Sequence, residues 1–188
     1  MRKLIVFNHA TLDGYIADAK GEMNWAHRAN RDAEWNEFVA GNASGDGQLL
    51  FGRVTYQLMA SYWPTPMAMK NDPVVATAMN NMPKVVFSRT LNEASWANTK
   101  LVKGDLVEEV RKMKNEDGPG MAIMGSASIV SQLAQAGLID EYQIALNPIV
   151  LGRGKTMFET VKQQLNLKLT RTRPFANGTV MLWYVPAL

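Results

Sequence analysis

The stretch 48-QLLFGRVTYQLM-59 decides the fold. A short apolar run stops at Gly52, Arg53 follows at once, and Thr55 comes two residues later. From 54 to 62 the spacing is helical. A four-residue apolar run closed by a turn signal and followed by a helical period reads as a buried strand feeding a helix. Gly52 lacks a Cβ, so backbone at that strand end can approach a ligand closely. The helix beginning there points unpaired N–H groups and a partial positive charge the same way.

The same alternation runs outward in both directions. Residues 3–8 read as a first strand and 9–31 as a long connection, with Asp13-Gly14 and Lys20-Gly21 as turn signals. Asp32 caps a helix that buries Trp35, Phe38 and Val39, and the Gly/Asn/Ser-rich stretch 42–47 breaks it. Trp63-Pro64-Thr65-Pro66 reads as a loop, and Asp72-Pro73 as a helix start with Pro at the first position. Strands are expected at 84–87, 100–102, 121–124 and 142–146. Helices are expected from Asp105, and from Ser126 to Ala136 with Gly137 as stop. At the tail, 165–172 and 179–185 form a strand pair around Asn177-Gly178. The order implies a single α/β domain over 1–188: a three-layer α/β/α sandwich, with a mainly parallel central sheet and antiparallel C-terminal strands.

Composition narrows the function classes. A formal charge of +3 spread over scattered Lys and Arg argues against a dedicated nucleic-acid surface, but leaves room for a local anion pocket. With no cysteine there are no disulfides or thiolate metal sites, and His9 and His27 lack metal-ligand spacing, so no metal is expected. No run approaches the ~20 apolar residues of a membrane helix, and the apolar start 4–7 is too short for a signal peptide. A cytoplasmic protein with no membrane partner is the expectation.

Three strand ends look alike. The strand before Gly52 leads into Gly52-Arg53-Val54-Thr55, that at 84–87 into Ser88-Arg89-Thr90, and that at 121–124 into Gly125-Ser126-Ala127-Ser128. In open parallel sheets ligands bind outside the carboxyl ends of strands. Helix N-termini there, glycine backbone, hydroxyls and two guanidiniums suit a phosphorylated dinucleotide. Taken singly, each has a plainer reading: Gly-Arg as a solvated turn, Ser126 and Ser128 as helix caps, Ser88 as a turn residue.

The segments 4-LIVFNHATLDGYIAD-18, 50-LFGRVTYQLM-59, 84-KVVFSRTL-91 and 122-AIMGSASIVSQLAQAGLIDEYQIALNPIVLGRGKTMFE-159 together resemble the dihydrofolate-reductase-like family. The likeness is to its branch with the reductase domain of bacterial riboflavin biosynthesis. The resemblance implies NADPH as hydride donor, a homodimer and a small-molecule substrate. It places Gly52, Arg53 and Thr55 on the cofactor motif, with the arginine at the adenosine 2′-phosphate. Ser88 and Arg89 fall on a second adenosine-side element. Gly125, Ser126 and Ala127 fall where the family often carries a glycine pair, Ser126 replacing the second glycine.

On the substrate side Asp13 and Gly14 match the family's Leu-Asp-Gly motif. Asp13 is the candidate catalytic residue, orienting substrate or passing a proton, with a turn role as the alternative. Asn8, Trp25, Gly152 and Gly154 are candidates for the substrate wall; Arg153 or Lys155 would meet an anionic group or stay solvated. Asp32 and Glu34 lie roughly where dihydrofolate reductases carry an acid. The His-x-Glu and Pro-Cys-x-x-Cys signatures of the riboflavin enzyme's deaminase half are absent from the sequence. The expected activity is an NADPH-dependent reduction of a pterin-like, pyrimidinone-like or imine substrate. It resembles 5-amino-6-(5-phosphoribosylamino)uracil reductase and dihydrofolate reductase. The rival is a dimeric nucleotide-binding module without catalysis.

Overall fold

A computed structural model of the chain describes residues 1–28, 32–43 and 45–187. In chain order the elements are β1 (Leu4–Thr11), β2 (Tyr15–Ala17), α1 (Asn24–Arg28), α2 (Ala33–Ala43), β3 (Gly47–Gly52), α3 (Arg53–Tyr62), α4 (Pro66–Asn71) and α5 (Pro73–Asn81). There follow β4 (Lys84–Phe87), β5 (Thr99–Val102), α6 (Leu106–Asn115), β6 (Gly120–Met124), α7 (Ala127–Gln135), β7 (Glu141–Asn147), β8 (Lys155–Thr156), β9 (Leu167–Pro174) and β10 (Val180–Pro186). Among the described residues no helix is long and apolar enough to cross a membrane.

Eight strands share one sheet in the order β5-β4-β3-β6-β1-β7-β10-β9. The first six are parallel, and β10 and β9 close the sheet antiparallel. β1 is central because it is apolar on both faces. Leu4, Val6 and Ala10 pack with Leu50, Met121, Ile123 and the inner faces of α6 and α7. Phe7 points the other way, into a cluster with Trp35 of α2, Phe175 and Trp183. β3 divides likewise: Leu50 joins the α6/α7 layer, and Leu49 and Phe51 pack with Tyr56 of α3 and Met79 of α5. The outcome is three layers, as the sequence order implies.

Local chemistry sets the helix starts. The Asp105 carboxylate accepts the N–H groups of Val107 and Glu108 at 3.0 and 3.1 Å, capping α6. Asp32 accepts the N–H of Glu34 at 3.0 Å and, with its other oxygen, the N–H of Asn177 at 3.2 Å. It therefore caps α2 and ties that helix to the C-terminal hairpin. Thr65 accepts the N–H of Ala68 at 3.2 Å, starting α4 within the stretch read as a loop. β1 runs three residues past its expected end, because 9–11 pair with β7.

All six parallel strands deliver their carboxyl ends to one edge. β3 and β6 lie side by side there; α3 follows β3 directly on one face of the sheet, and α7 follows β6 after Gly125 and Ser126 on the other.

Candidate functional site

The starts of α3 and α7 are stitched together. The N–H of Gly52 donates to Ser126 Oγ at 3.0 Å, and the N–H of Ser126 donates to Thr55 Oγ1 at 3.0 Å. Ser126 Oγ also donates to the carbonyl of Met124 at 3.3 Å. Ser126 occupies the N-cap position of α7, but its hydroxyl makes no capping bond to that helix. It is committed to the neighbouring strand end instead.

Gly125 sits at the centre of this junction with φ +63°, followed by Ser126 at φ +55°, ψ +53°. Two consecutive left-handed residues turn the chain sharply out of β6. A Cβ added to Gly125 would lie 2.8 Å from Cγ2 of Thr55, so only glycine fits. Gly52 is different: its conformation is extended, and an added Cβ would meet Ile129 at an ordinary 3.5 Å.

Asn8 fixes the junction from the β1 side. Buried in the sheet, it accepts the N–H of Gly125 at 2.5 Å and donates to the carbonyl of Gly125 at 3.2 Å and to Met157 Sδ at 3.2 Å. Asn8 was expected on the substrate wall; its amide is spent on holding Gly125. With the N–H groups of Gly125 and Ser126 both occupied, the donors at the head of α7 are those of Ala127 and Ser128, which helix geometry leaves without an intrahelical partner.

On the far side of α3's first turn lies an open hollow of about 610 Å³, lined by Arg53, Gln57, Thr90, Leu91, Asn92 and Glu93. Arg53 donates to Gln57 Oε1 at 3.2 Å along the helix surface. The opposite wall is the turn after β4. Ser88 Oγ accepts the N–H groups of Thr90 and Leu91 at 3.2 and 2.9 Å, so its hydroxyl shapes that turn rather than facing outward. Arg89 is exposed on the same turn but does not line the hollow. Of the two arginines named from sequence, Arg53 is the one that lines the hollow.

The structure gives Asp13 a tying role. Its carboxylate accepts the Thr11 hydroxyl at 2.6 Å, the N–H of Gly152 at 2.7 Å and the N–H of Leu151 at 3.1 and 3.2 Å. The Thr11 hydroxyl foremost holds this carboxyl below the usual carboxylate range; desolvation, next in size, opposes it, and the Gly152 and Leu151 amides add to the lowering. Asp13 is thus a carboxylate at neutral pH, lashing the turn at 11–14 to the loop after β7. Gly14, at φ +87°, closes that turn with its N–H on the carbonyl of Thr11. Gly152, at φ +73°, presents its N–H to Asp13. Gly154 has no room for a side chain: an added Cβ would lie 2.2 Å from the Ala17 carbonyl, where β8 pairs with β2.

The other acids are likewise engaged. Asp32 caps α2, and Glu34 pairs with Arg173 at 2.8 Å on the surface. Arg153 and Lys155 are exposed. Trp25 is nine-tenths buried on α1, and its indole N–H has no partner among the described residues. Sequence reasoning missed Asn8's clamp on Gly125. Its signal was a polar residue that shares its strand face with Leu4, Val6 and Ala10.

Comparison with known proteins agrees with this fold. The family model for the RibD C-terminal domain matches residues 2–181. The chain is 32% identical over 183 residues to the uncharacterized protein YyaP of Bacillus subtilis (strain 168), covering 97% of this chain and 94% of that one. Among solved structures, a putative riboflavin biosynthesis protein from Shewanella sp. PV-4 superposes with a TM-score of 0.71 at 24% identity, covering 99% of both chains. Dihydrofolate reductase from Enterococcus faecalis, solved in complex with NADP(H) and RAB-propyl, superposes with a TM-score of 0.67 at 16% identity, covering 99% of this chain and 97% of that one. The fold is dihydrofolate-reductase-like, and the chain belongs to the RibD C-terminal domain family.

Proposed function

We propose that this protein is an NADPH-dependent reductase of a small pterin-like, pyrimidinone-like or imine substrate, acting as a homodimer. The observation that carries the reading is the Gly125–Thr55 contact beside the Arg53 hollow. A tightly packed junction that brings two helix N-termini together, with the Arg53 guanidinium on the first turn of one of them, fits a dinucleotide with an added phosphate. The fold relative from Enterococcus faecalis, which was solved with NADP(H), supports it.

In this reading Arg53 meets the 2′-phosphate in the hollow with charge-assisted hydrogen bonds. The first turns of α3 and α7 hold the pyrophosphate, through backbone N–H groups that include those of Ala127 and Ser128. Thr55 and Ser126 keep the two helix heads in register, and Asn8 holds Gly125 from behind. When bound, NADPH supplies the hydride. The chain's share is to orient the substrate and exclude water at the edge of β6 and β1. Trp25, whose buried indole N–H has no partner among the described residues, offers a donor to a substrate carbonyl or ring nitrogen. The proton comes from water at the mouth, because Asp13 is already bound on both oxygens.

NADPH absorbance followed against a panel of pterins, pyrimidinones and cyclic imines tests the reaction. Oxidation that depends on one of these substrates supports it. A second reading has its own observation: the carboxylates of Asp13, Asp32 and Glu34 are all engaged structurally. Tight NADPH binding without turnover on any member of the panel would favour a nucleotide-binding module over an enzyme.

A further inference from the structure

The hollow beside α3 holds charges of both signs. Arg53 is its cation, and Glu93, three residues beyond Thr90 on the opposite wall, is its carboxylate. The rest of the lining is neutral: Gln57, Thr90, Leu91 and Asn92. The two charges form no ion pair with each other. The guanidinium of Arg53 donates to Gln57 Oε1 at 3.2 Å, and the four ion pairs among the described residues all lie elsewhere. The wall that carries Glu93 starts from the turn that Ser88 holds through the N–H groups of Thr90 and Leu91.

A carboxylate and a guanidinium in one hollow act on a ligand in opposite ways. A phosphate ester entering it gains from Arg53 and is repelled by Glu93, whereas a ribose 2′-hydroxyl is a hydrogen-bond donor that a carboxylate accepts well. We infer that Glu93 is a specificity-determining residue, which limits the hollow's preference for a 2′-phosphorylated nucleotide over its unphosphorylated counterpart. This rests on the reading of the hollow as the adenosine end of a dinucleotide site. Arg53 selects the phosphate; Glu93 moderates that selection and lets the unphosphorylated form bind.

The test uses two fragments, 2′,5′-ADP and 5′-AMP, titrated calorimetrically at low ionic strength into the full chain and into E93Q, E93K and R53A. The ratio of their dissociation constants is the readout, since a purely structural change would weaken both alike. E93Q is expected to raise the preference for 2′,5′-ADP about three- to tenfold, through tighter binding of that fragment with no tightening of 5′-AMP, and E93K to raise it further. Added salt should shrink the difference between wild type and E93Q. An R53A protein that loses the preference, beside E93Q and E93K proteins with the wild-type ratio, would overturn the role of Glu93 and leave the site standing. A wild-type chain that does not distinguish the fragments, with R53A the same, would overturn the site and the Glu93 inference together.

Discussion

Gly125 is the residue on which the junction of α3 and α7 closes. It has a left-handed backbone and no room for a methyl group beside Thr55. Gly125→Ala should therefore destabilise the fold by about 1–3 kcal/mol in urea unfolding. Adding T55S removes Cγ2 while keeping the hydroxyl that accepts the Ser126 N–H, and should recover part of that loss. No recovery would mean that the contact is not what excludes a side chain. Ser126 makes a complementary case. S126G relieves the left-handed strain but loses the tie to Gly52, whereas S126A keeps the strain and loses the same tie. S126A should be the less stable of the two by about 1 kcal/mol. Asp13 links to acid stability: its folded-state pKa is depressed, so its contribution is present above the ordinary carboxylate value and is lost as pH falls through the folded value. D13N should accordingly lose stability relative to wild type at neutral pH, with the gap closing in acid. The motif positions of Gly52, Arg53 and Gly125 could be read from the chain because strand-end glycine and cation leave a local signature. The true partners of Asp13 and Asn8 could not, because Gly152 and Gly125 lie more than a hundred residues away.

Among the elements, α5 ends in an unusual way. Lys84, the first residue of β4, is buried and donates to the carbonyls of Met79, Asn80 and Met82 at 2.8, 3.1 and 2.7 Å, with its ammonium 4.4 Å from the Trp96 ring centre. Three carbonyls at a helix C-terminus take all three donors of the ammonium. Burial pushes this lysine down from 10.5 to about 8, which still leaves it mostly charged at neutral pH. Between about 8 and 10.5 the unfolded chain keeps a proton that the folded protein has released, so stability should rise with pH across that window. The cost of burying the charge is present below the window and relieved above it. K84M should abolish the rise in urea midpoints measured from pH 7 to 10. It should also cost about 1–3 kcal/mol at pH 7 by stranding three carbonyls. The strong elements were legible from period and punctuation: the strand before Gly52, the helix capped by Asp105, the helix stopped by Gly137. α4 was not, although Thr65-Pro66 carries the same cap-and-proline signal as Asp72-Pro73; the adjoining Trp63-Pro64 masked it. β2 and β8 are too short, at three and two residues, to leave a period at all.

For the whole molecule, the sequence conveyed the class but not the neighbours. The alternation of strands and helices implies a parallel sheet. Nothing local says that β6 enters between β3 and β1, and it is this insertion that sets Gly125 against Thr55 and Asn8. Light scattering of the purified chain should give twice its 20.9 kDa mass; the monomer mass would refute the dimer and leave the cofactor site untouched. The central claim is that NADPH binds at the carboxyl edge where β3, β4 and β6 end. Backbone amide shifts recorded during an NADPH titration test it most directly. The account predicts the largest changes at Gly52 to Thr55, Ser88 to Glu93 and Gly125 to Ser128, with smaller ones around Arg53 when NADH is used. Saturating NADPH that leaves these amides unmoved, or that shifts the opposite edge around Arg2 and Gly118 instead, would contradict it.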